Sequence, residues 1–216
     1  MNYNLIKEID TMIDVGAFGS NIETEAKAVH QMLPNIRIFG FEPAKNRYDE
    51  LKKDYPGDLI NIAIGDKDEI TFMCEDFYPR LPPGACGFKT ENNGIKFTIQ
   101  QRSLDSLDKE FLFGDAIFIW CDIEGYELKL LQGCDLLFSS KRIKYVYTEL
   151  WTASPIKEII EWPTDVQIKE YLHKRGLYPI LVENKGKNKV CSFKNGNVIY
   201  LNEEVVKYDC LFERQL

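Results

Sequence analysis

The sequence lacks several features that mark common classes of protein. Its 216 residues contain no apolar stretch approaching the roughly 20 residues that span a membrane. The N-terminus shows no basic segment followed by an apolar one, as a secretory signal would. None of the six cysteines forms a C-x-x-C pair, which favours free buried thiols in a reducing compartment. These absences predict a cytoplasmic protein without a membrane span.

The chain also lacks an excess of positive charge. Its formal net charge is −7 at pH 7, and no block of like charges stands out. Proteins that coat nucleic acid usually carry a basic patch, so we expect no nucleic-acid partner. Hydrophobic residues make up 44% of the chain, enough to bury the core of a single domain spanning residues 1–216. Nothing in the composition specifies an oligomeric state.

Short apolar runs alternate with amphipathic segments along the first third of the chain. The predicted strands are 11–15, 37–41 and 59–64, and the predicted helices between them are 21–33, capped by Asn21, and 44–55. Such alternation is typical of parallel strands joined by right-handed crossovers. The almost wholly apolar run at 116–125 predicts a central strand that is covered on both faces.

The remaining segments continue this pattern with one interruption. Helices are predicted at 103–111, 126–133 and 165–176, and strands at 143–151, 178–183 and 190–202, the last with a hairpin turn at Asn195-Gly196. Between two strand-like segments, EITFMC and KFTIQQ, the stretch at about 74–100 is rich in proline and glycine. It is too long for a simple connection, so we expect an irregular insertion or lid there.

Acidic residues follow several of the predicted strands. Asp14, Glu42, Asp66, Asp122 and Glu149 stand at or just beyond strand ends. A helix N-cap explains any single one of them equally well. The carboxyl ends of parallel strands meet at one edge of a sheet, however, so acids on consecutive strands predict a shared ligand cleft.

Two positions suggest which ligand the cleft binds. Glu42, after the second strand, can accept hydrogen bonds from both hydroxyls of a ribose, and Gly16 lets the backbone approach a ligand closely. The stretch IDVGAFGS has Phe18 where a dinucleotide loop needs a close approach to pyrophosphate. The pattern therefore favours a nucleoside over a dinucleotide. S-adenosylmethionine is such a cofactor, and the acids after the first and central strands are candidates for holding its ammonium group.

Six short motifs resemble those of the FkbM-type methyltransferases. They follow the family's order and approximate spacing: DVGA (14–17), FEP (41–43), AIGD (63–66), SLDSL (103–107), DIEGYE (122–127) and TEL (148–150). The first two occur in many Rossmann-like methyltransferases, whereas SLDSL followed by an apolar strand and DIEGYE is much more specific. The resemblance covers roughly residues 10–150.

The resemblance implies a fold, a cofactor and a set of cofactor-binding residues. The fold is Rossmann-like α/β, with a seven-stranded, mostly parallel sheet, an antiparallel last strand and helices on both faces. The cofactor is S-adenosylmethionine, with S-adenosylhomocysteine as product. The implied binding residues are Asp14, Gly16, Ala17 and Phe18 on the methionine and ribose side, Glu42 and Pro43 at the ribose hydroxyls, Ile62, Ala63 and Asp66 around adenine, and Asp122 at the methionine or the reacting centre.

The chain departs from the family pattern at two places. Gly19 comes one residue before the position of the family's last loop glycine, where Ser20 stands. Trp120 replaces the lysine that usually lies two residues before the aspartate of the central strand. The shifted glycine leaves open the alternative of a degenerate binding protein that has lost methyl transfer.

The family resemblance further implies O-methylation of a hydroxyl on a sugar, glycan or small natural product. A base would assist the attack of that hydroxyl. His30 and His173 fall within predicted helices, so the expected base is a carboxylate: Asp122, Glu124 or Glu149. A helix cap explains Glu124 nearly as well. A divalent metal held by the same carboxylates is a less favoured alternative.

The irregular segment is the predicted acceptor-binding lid. Its aromatic and cationic side chains suit a sugar, and they include Tyr78, Arg80, Cys86, Phe88 and Lys89. A plain surface loop is the alternative. Trp151 and Trp162 either line the same cleft or belong to the core. The Asn-Pro-Pro-Tyr-type motif of many nucleic-acid methyltransferases is absent from the sequence.

Overall fold

The central element of the molecule is a seven-stranded sheet. The computed structural model describes residues 6–17, 24–75, 86–88, 95–123, 125–152, 163–184, 191–194, 197–200 and 207–215. Its strands are β1 Thr11–Val15, β2 Arg37–Phe41, β3 Asp58–Ile60, β4 Ala63–Ile64, β5 Glu69–Glu75, β6 Cys86–Phe88, β7 Ile95–Arg102, β8 Ile117–Cys121, β9 Ile143–Trp151, β10 Leu177–Asn184, β11 Cys191–Lys194, β12 Asn197–Tyr200 and β13 Lys207–Arg214. Its helices are α1 Glu25–Met32, α2 Lys45–Leu51, α3 Leu104–Phe111, α4 Glu127–Gln132, α5 Asp135–Ser139 and α6 Asp165–His173.

The seven strands of the central sheet run in the order β10-β13-β9-β8-β1-β2-β3. β13 is antiparallel to both of its neighbours, β10 and β9. The other five strands, β9, β8, β1, β2 and β3, each pair in parallel with the next strand in this order. The predicted Rossmann-like α/β fold is therefore confirmed. From β1 the chain proceeds to β2 on one side and later to β8 on the other. The carboxyl ends of β1 and β8 thus form the topological switch point, where ligands bind in such sheets.

Apolar side chains cover both faces of this sheet. Neighbouring residues of a strand point to opposite faces, so Met12 belongs to one buried cluster and Ile13 to the other. Helix α1 packs on the Met12 face through Ala26 and Val29, whereas α3, α4, α5 and α6 contribute to the Ile13 face. Burial on both faces explains why these strands read as continuous apolar runs. Within the described ranges, no helix has the length and apolar character needed to cross a membrane.

The first helix begins later than its periodicity predicts. The prediction starts at residue 21 with Asn21 as the cap, but residues 18–23 lie outside the described ranges and α1 begins at Glu25. Thr24 is the cap, because its hydroxyl accepts a hydrogen bond from the Lys27 amide at 3.3 Å. An acid directly after this cap, Glu25, further stabilises the positive end of the helix.

The third predicted strand, 59–64, is divided between two sheets. β3 extends the central sheet, whereas β4 pairs with β7 in a second, four-stranded sheet. Asn61 stands at the break, and its Nδ2 donates to the carbonyls of Glu42 and Pro43 at 2.8 and 2.9 Å. These side-chain bonds redirect the chain where continuous strand pairing would otherwise be expected.

The second sheet has the order β4-β7-β5-β6. β5 and β7 pair antiparallel, which confirms the two strand-like segments that border the expected insertion. Residues 76–85 and 89–94 lie outside the described ranges, so the lid stays a prediction. β11 and β12 pair antiparallel, as the predicted hairpin requires. Sequence reasoning missed α5, which has five residues, and β13, in which charged residues interrupt the apolar run.

Candidate functional site

The carboxyl ends of β1 and β8 meet at a tight turn around Gly16. This glycine has φ +79°, a left-handed conformation that side chains disfavour. A Cβ atom at this position would lie 2.2 Å from the carbonyl oxygen of Asp122. The Asp122 amide in turn donates to the carbonyl of Val15 at 3.2 Å. Position 16 therefore requires glycine both for its backbone conformation and for the close approach of the chain after β8.

The first amides of this turn are used by the fold itself. Gly16 and Ala17 both donate their amide hydrogens to the carbonyl of Phe41, at 3.1 and 3.3 Å. The amides of a phosphate-binding loop point instead toward the anion. Ala17 is buried, and Phe18, the next predicted cofactor residue, lies outside the described residues.

Glu42 stands just past β2 at the same edge and is only 3% exposed. Its Oε1 accepts a hydrogen bond from the Ala44 amide at 2.8 Å. The backbone carbonyls of Glu42 and Pro43 are held by Asn61. The acid predicted to bind ribose is therefore fixed both at its backbone and at one oxygen of its side chain.

Asp14, the acid of the DVGA motif, is buried and bonded to a tyrosine. The Tyr55 hydroxyl donates to Asp14 Oδ2 at 2.7 Å. Burial raises the pKa of Asp14 to about 7; the bond from Tyr55 lowers it, and the negative charges of Glu25, Glu42 and Asp122 raise it further. At neutral pH this carboxyl therefore exists in both charge states.

A further buried acid, Glu127, organises the turn that follows β8. Its Oε1 accepts hydrogen bonds from the amides of Ile123 and Gly125, at 3.3 and 3.1 Å. Burial raises the pKa of Glu127 to about 8; hydrogen bonds from its own backbone amide and from that of Gly125 oppose the shift, and the charges of Glu149 and Asp122 add to it. Two of the predicted catalytic acids, Asp122 and Glu149, thus lie near a third carboxyl that was not among the predicted site residues.

Of the two remaining catalytic candidates, Glu149 lies within the described residues and Glu124 does not. Glu149 is 2% exposed, and its Oε2 accepts a hydrogen bond from Trp151 Nε1 at 3.0 Å. The indole of Trp151 therefore lies beside this candidate acid, and its place in an acceptor cleft stays a prediction. Glu124 and Trp162 lie outside the described residues, as do the lid residues Tyr78, Arg80 and Lys89.

Three carboxylates lie side by side along the far part of this edge. Glu149, Asp209 and Glu183 occupy directly paired positions on β9, β13 and β10. The Tyr147 hydroxyl lies 2.8 Å from Glu183 Oε2 and 3.0 Å from Asp209 Oδ2, and its ring stacks on Trp120 with centroids 4.0 Å apart. Like charges in paired positions destabilise a sheet, and here the Tyr147 hydroxyl lies between two of the three acids.

The residues predicted to surround adenine lie at the start of the second sheet. Ile62 and Ala63 are buried. Asp66 is partly exposed and forms an ion pair with Lys129, with Nζ 3.2 Å from Oδ2. An adenine amino group would have to share Asp66 with this lysine, so its role stays a prediction.

Neither histidine lies at the carboxyl edge. His30 and His173 stand in the last turns of α1 and α6, helices that lead into the starts of β2 and β10. The ring of His173 stacks on Tyr178, with centroids 5.0 Å apart. Among the residues that the structure describes, no group of His, Cys, Asp and Glu side chains is arranged to hold a metal ion.

Comparison with known families gives one decisive match. The profile of the family described as "Methyltransferase FkbM domain" matches residues 14–176, from the Asp14 motif to the turn after α6. The chain belongs to the FkbM methyltransferase domain family. No curated protein gives a significant match to it.

Solved methyltransferase structures resemble this FkbM domain at low sequence identity. Magnesium protoporphyrin IX methyltransferase (ChlM) from Synechocystis PCC 6803, with bound SAM, is 8% identical, with a TM-score of 0.41 over 94% of this chain and 69% of that one. An S-adenosylmethionine-dependent methyltransferase from Clostridium acetobutylicum ATCC 824 is 7% identical. Its TM-score is 0.43, and the match covers 97% of this chain and 85% of that one. The plantazolicin methyltransferase BpumL, in complex with SAH, is 10% identical. Its TM-score is 0.45, and the match covers 99% of this chain and 80% of that one.

Several polar residues at the edge of this FkbM domain were not predicted. Glu127 closes the DIEGYE motif, whose earlier acids, Asp122 and Glu124, are the predicted catalytic residues. Tyr55, Glu183 and Asp209 belong to no motif. They reach the edge only through tertiary contacts.

Gly16→Ala should destabilise the FkbM domain more than Gly176→Ala does. The two glycines have φ +79° and +78°, and alanine in this conformation costs about 1–2 kcal/mol at either position. Only at Gly16 does the added Cβ collide with backbone, whereas at Gly176 the nearest atom is Arg214 Nη1 at 3.7 Å. Urea denaturation measures both variants. Equal losses would show that contact with the Asp122 carbonyl does not constrain position 16.

Replacements of Glu127 should separate its hydrogen bonds from its charge. Glu127→Gln keeps an acceptor for the amides of Ile123 and Gly125. Glu127→Ala removes it, and loss of a partner costs about 1–3 kcal/mol for a fully buried donor and less for these part-buried amides. Denaturation at neutral pH should therefore find the alanine variant less stable than the glutamine variant.

The glutamine variant should also change the pH dependence of stability. The folded pKa of Glu127, about 8, lies above its ordinary value of 4.5, so between these values the folded chain holds a proton that the unfolded chain has lost. This group therefore destabilises the wild type progressively as pH rises through that window. Denaturation near pH 5 and pH 9 should show Glu127→Gln gaining on the wild type with pH. A constant difference would contradict the buried-acid assignment.

Proposed function

We propose that this FkbM domain is an S-adenosylmethionine-dependent O-methyltransferase. The observation that carries the proposal is the convergence of Gly16, Glu42 and Asp122 on the switch point of the sheet, in a chain of this family. Ligands bind at the carboxyl edge of such sheets. The proposed acceptor is a hydroxyl of a sugar, glycan or small natural product.

The charges at this edge suit a cationic nucleoside better than a nucleotide. S-adenosylmethionine carries a positive sulfonium and a positive ammonium group, and the edge offers the carboxyls of Asp14, Glu42 and Asp122. A pyrophosphate would need free amide donors, and those of Gly16 and Ala17 are engaged by the Phe41 carbonyl. The residues of the turn therefore fit the proposed cofactor.

The proposed roles of the chain are to orient the acceptor and to remove its proton. When bound, the cofactor supplies a methyl group that is activated by the positive sulfur. The acceptor hydroxyl must be held about 3 Å from the methyl carbon, and such positioning supplies much of the rate. Its proton passes to a carboxylate, for which Asp122 and Glu149 are the described candidates and Glu124 a third.

The surroundings of Glu149 support a sugar-like acceptor. The indole N–H of Trp151 donates to Glu149, which brings an aromatic ring beside the candidate base. Aromatic rings pack against the apolar faces of sugars, while carboxylates accept hydrogen bonds from their hydroxyls. The aromatic and cationic residues predicted for the lid would add to this surface.

Glu42→Gln should weaken cofactor binding without unfolding the chain. Glutamine keeps an oxygen for the Ala44 amide but loses the negative charge offered to the ribose hydroxyls. Loss of one charge-assisted hydrogen bond, about 1.5–3 kcal/mol, should lower affinity by at least about tenfold. Calorimetry with S-adenosylmethionine and S-adenosylhomocysteine measures this. Both should weaken equally, because they share the ribose.

This binding experiment distinguishes a wrong function from a wrong assignment of the ribose-binding residue. If the folded wild type binds neither compound, the proposed methyltransferase function is wrong. If the wild type binds and Glu42→Gln binds equally well, the ribose has been assigned to the wrong residue. Binding with no transfer to any hydroxyl acceptor would favour the degenerate binding protein.

Glu149→Gln should lower kcat while leaving cofactor affinity unchanged. Removal of a general base costs about 10²–10⁴-fold in rate. The matched control is Glu213→Gln, because Glu213 pairs with Tyr145 near the amino end of β9 and should leave the rate unchanged. Mass spectrometry of sugar and natural-product hydroxyl acceptors should detect the added methyl group. An unchanged kcat for Glu149→Gln would exclude this carboxylate as the base.

A further inference from the structure

Tyr55 makes a long-range contact with the first acid of the candidate site. It lies between α2 and β3, 41 positions along the chain from Asp14, yet its hydroxyl donates to Asp14 Oδ2 at 2.7 Å. Gly40 of β2 stands directly beside Asp14 in the strand register. The phenol ring must therefore pass over Gly40 to reach the end of β1.

The absence of a side chain at Gly40 makes this contact possible. A Cβ atom there would lie 2.4 Å from both Cζ and the hydroxyl oxygen of Tyr55. Gly40 lies within a regular strand and lacks the left-handed φ of Gly16. Its need for glycine thus comes from the tyrosine ring rather than from the backbone. Two residues without a shared motif, Gly40 and Tyr55, together determine where the Asp14 carboxyl lies.

The other charged groups that face Asp14 act against its ionised form. They are Glu25 on α1, Glu42 just past β2 and Asp122 just past β8, all acidic. Burial disfavours the ionised carboxyl as well, whereas the hydroxyl of Tyr55 stabilises it by donating a hydrogen bond. Tyr55 therefore affects both the position and the charge of this acid.

We propose that Tyr55 is a positioning residue of the cofactor site, which acts through Asp14 by holding its carboxyl across Gly40 in the orientation that receives the cofactor's ammonium group. The proposal rests on the function proposed above. It assigns to Tyr55 no contact with the reacting atoms.

The expected consequence is a change in the pH profile of cofactor binding. In the wild type, the pKa of Asp14 is about 7, so affinity for the cationic cofactor should rise as pH increases through that value. Tyr55→Phe keeps the ring over Gly40 but removes the hydroxyl that lowers this pKa. The midpoint of the profile should therefore move to higher pH. A midpoint shift of one pH unit lowers affinity about tenfold below the wild-type midpoint.

The experiment is calorimetric titration of S-adenosylmethionine into the wild type and Tyr55→Phe across this pH range. The matched control is Tyr208→Phe. The Tyr208 hydroxyl also donates to a buried carboxyl, that of Asp165, at 2.7 Å, but on the opposite face of the sheet. The control should lose comparable stability and keep the wild-type pH profile, since a purely structural role does not move that profile.

A second variant tests whether Tyr55 acts through Asp14. Asparagine at position 14 cannot ionise, so in an Asp14→Asn background the change Tyr55→Phe should no longer move the profile. A shift that persists in this background, or an unchanged profile in Tyr55→Phe alone, overturns the proposal while leaving cofactor binding intact. Failure of the folded wild type to bind the cofactor overturns the proposed function and this proposal together.

Discussion

The close approach of Gly16 to the Asp122 carbonyl is the constraint on which the candidate site depends. It joins the ends of β1 and β8, the two strands at which the sheet order reverses. Because no side chain separates them, Gly16 of the DVGA motif lies directly against Asp122 of the DIEGYE motif. Glycine at position 16 is therefore required by contact between strands, before any ligand is considered. The glycine of the DVGA motif is therefore explained by strand packing as well as by cofactor binding.

Around this contact the fold buries carboxyls that would be more stable in water. The pKa values of Asp14 and Glu127 are raised to about 7 and about 8, chiefly by burial. The edge is therefore less negative at neutral pH than its composition suggests. Buried acids with perturbed pKa values concentrate at functional sites, because ligand binding can compensate for their cost. A cationic ligand would provide that compensation here.

The sequence was sufficient for the parallel strands of the sheet but not for β13 or for the contacts that complete the site. Alternating apolar runs and helices predict parallel strands, and the family resemblance implies seven strands with the last one antiparallel. The break at Asn61 was missed because its amide bonds to carbonyls some 18 positions earlier in the chain. Tyr55 was missed for the same reason, since its significance depends on Gly40 and on strand register. The local pattern of apolar residues identifies helices and strands. The contacts of Asn61 and Tyr55 form only when these helices and strands have packed together.

Trp120 gives the departure from the family pattern a physical meaning. A lysine at this position would place a cation beside the acidic row of Glu149, Asp209 and Glu183. The tryptophan instead stacks on the ring of Tyr147, whose hydroxyl lies within hydrogen-bonding distance of Asp209 and Glu183. At position 120 this chain therefore has an aromatic packing contact in place of a charge. Selection of the acceptor by this row of acids therefore stays a proposal.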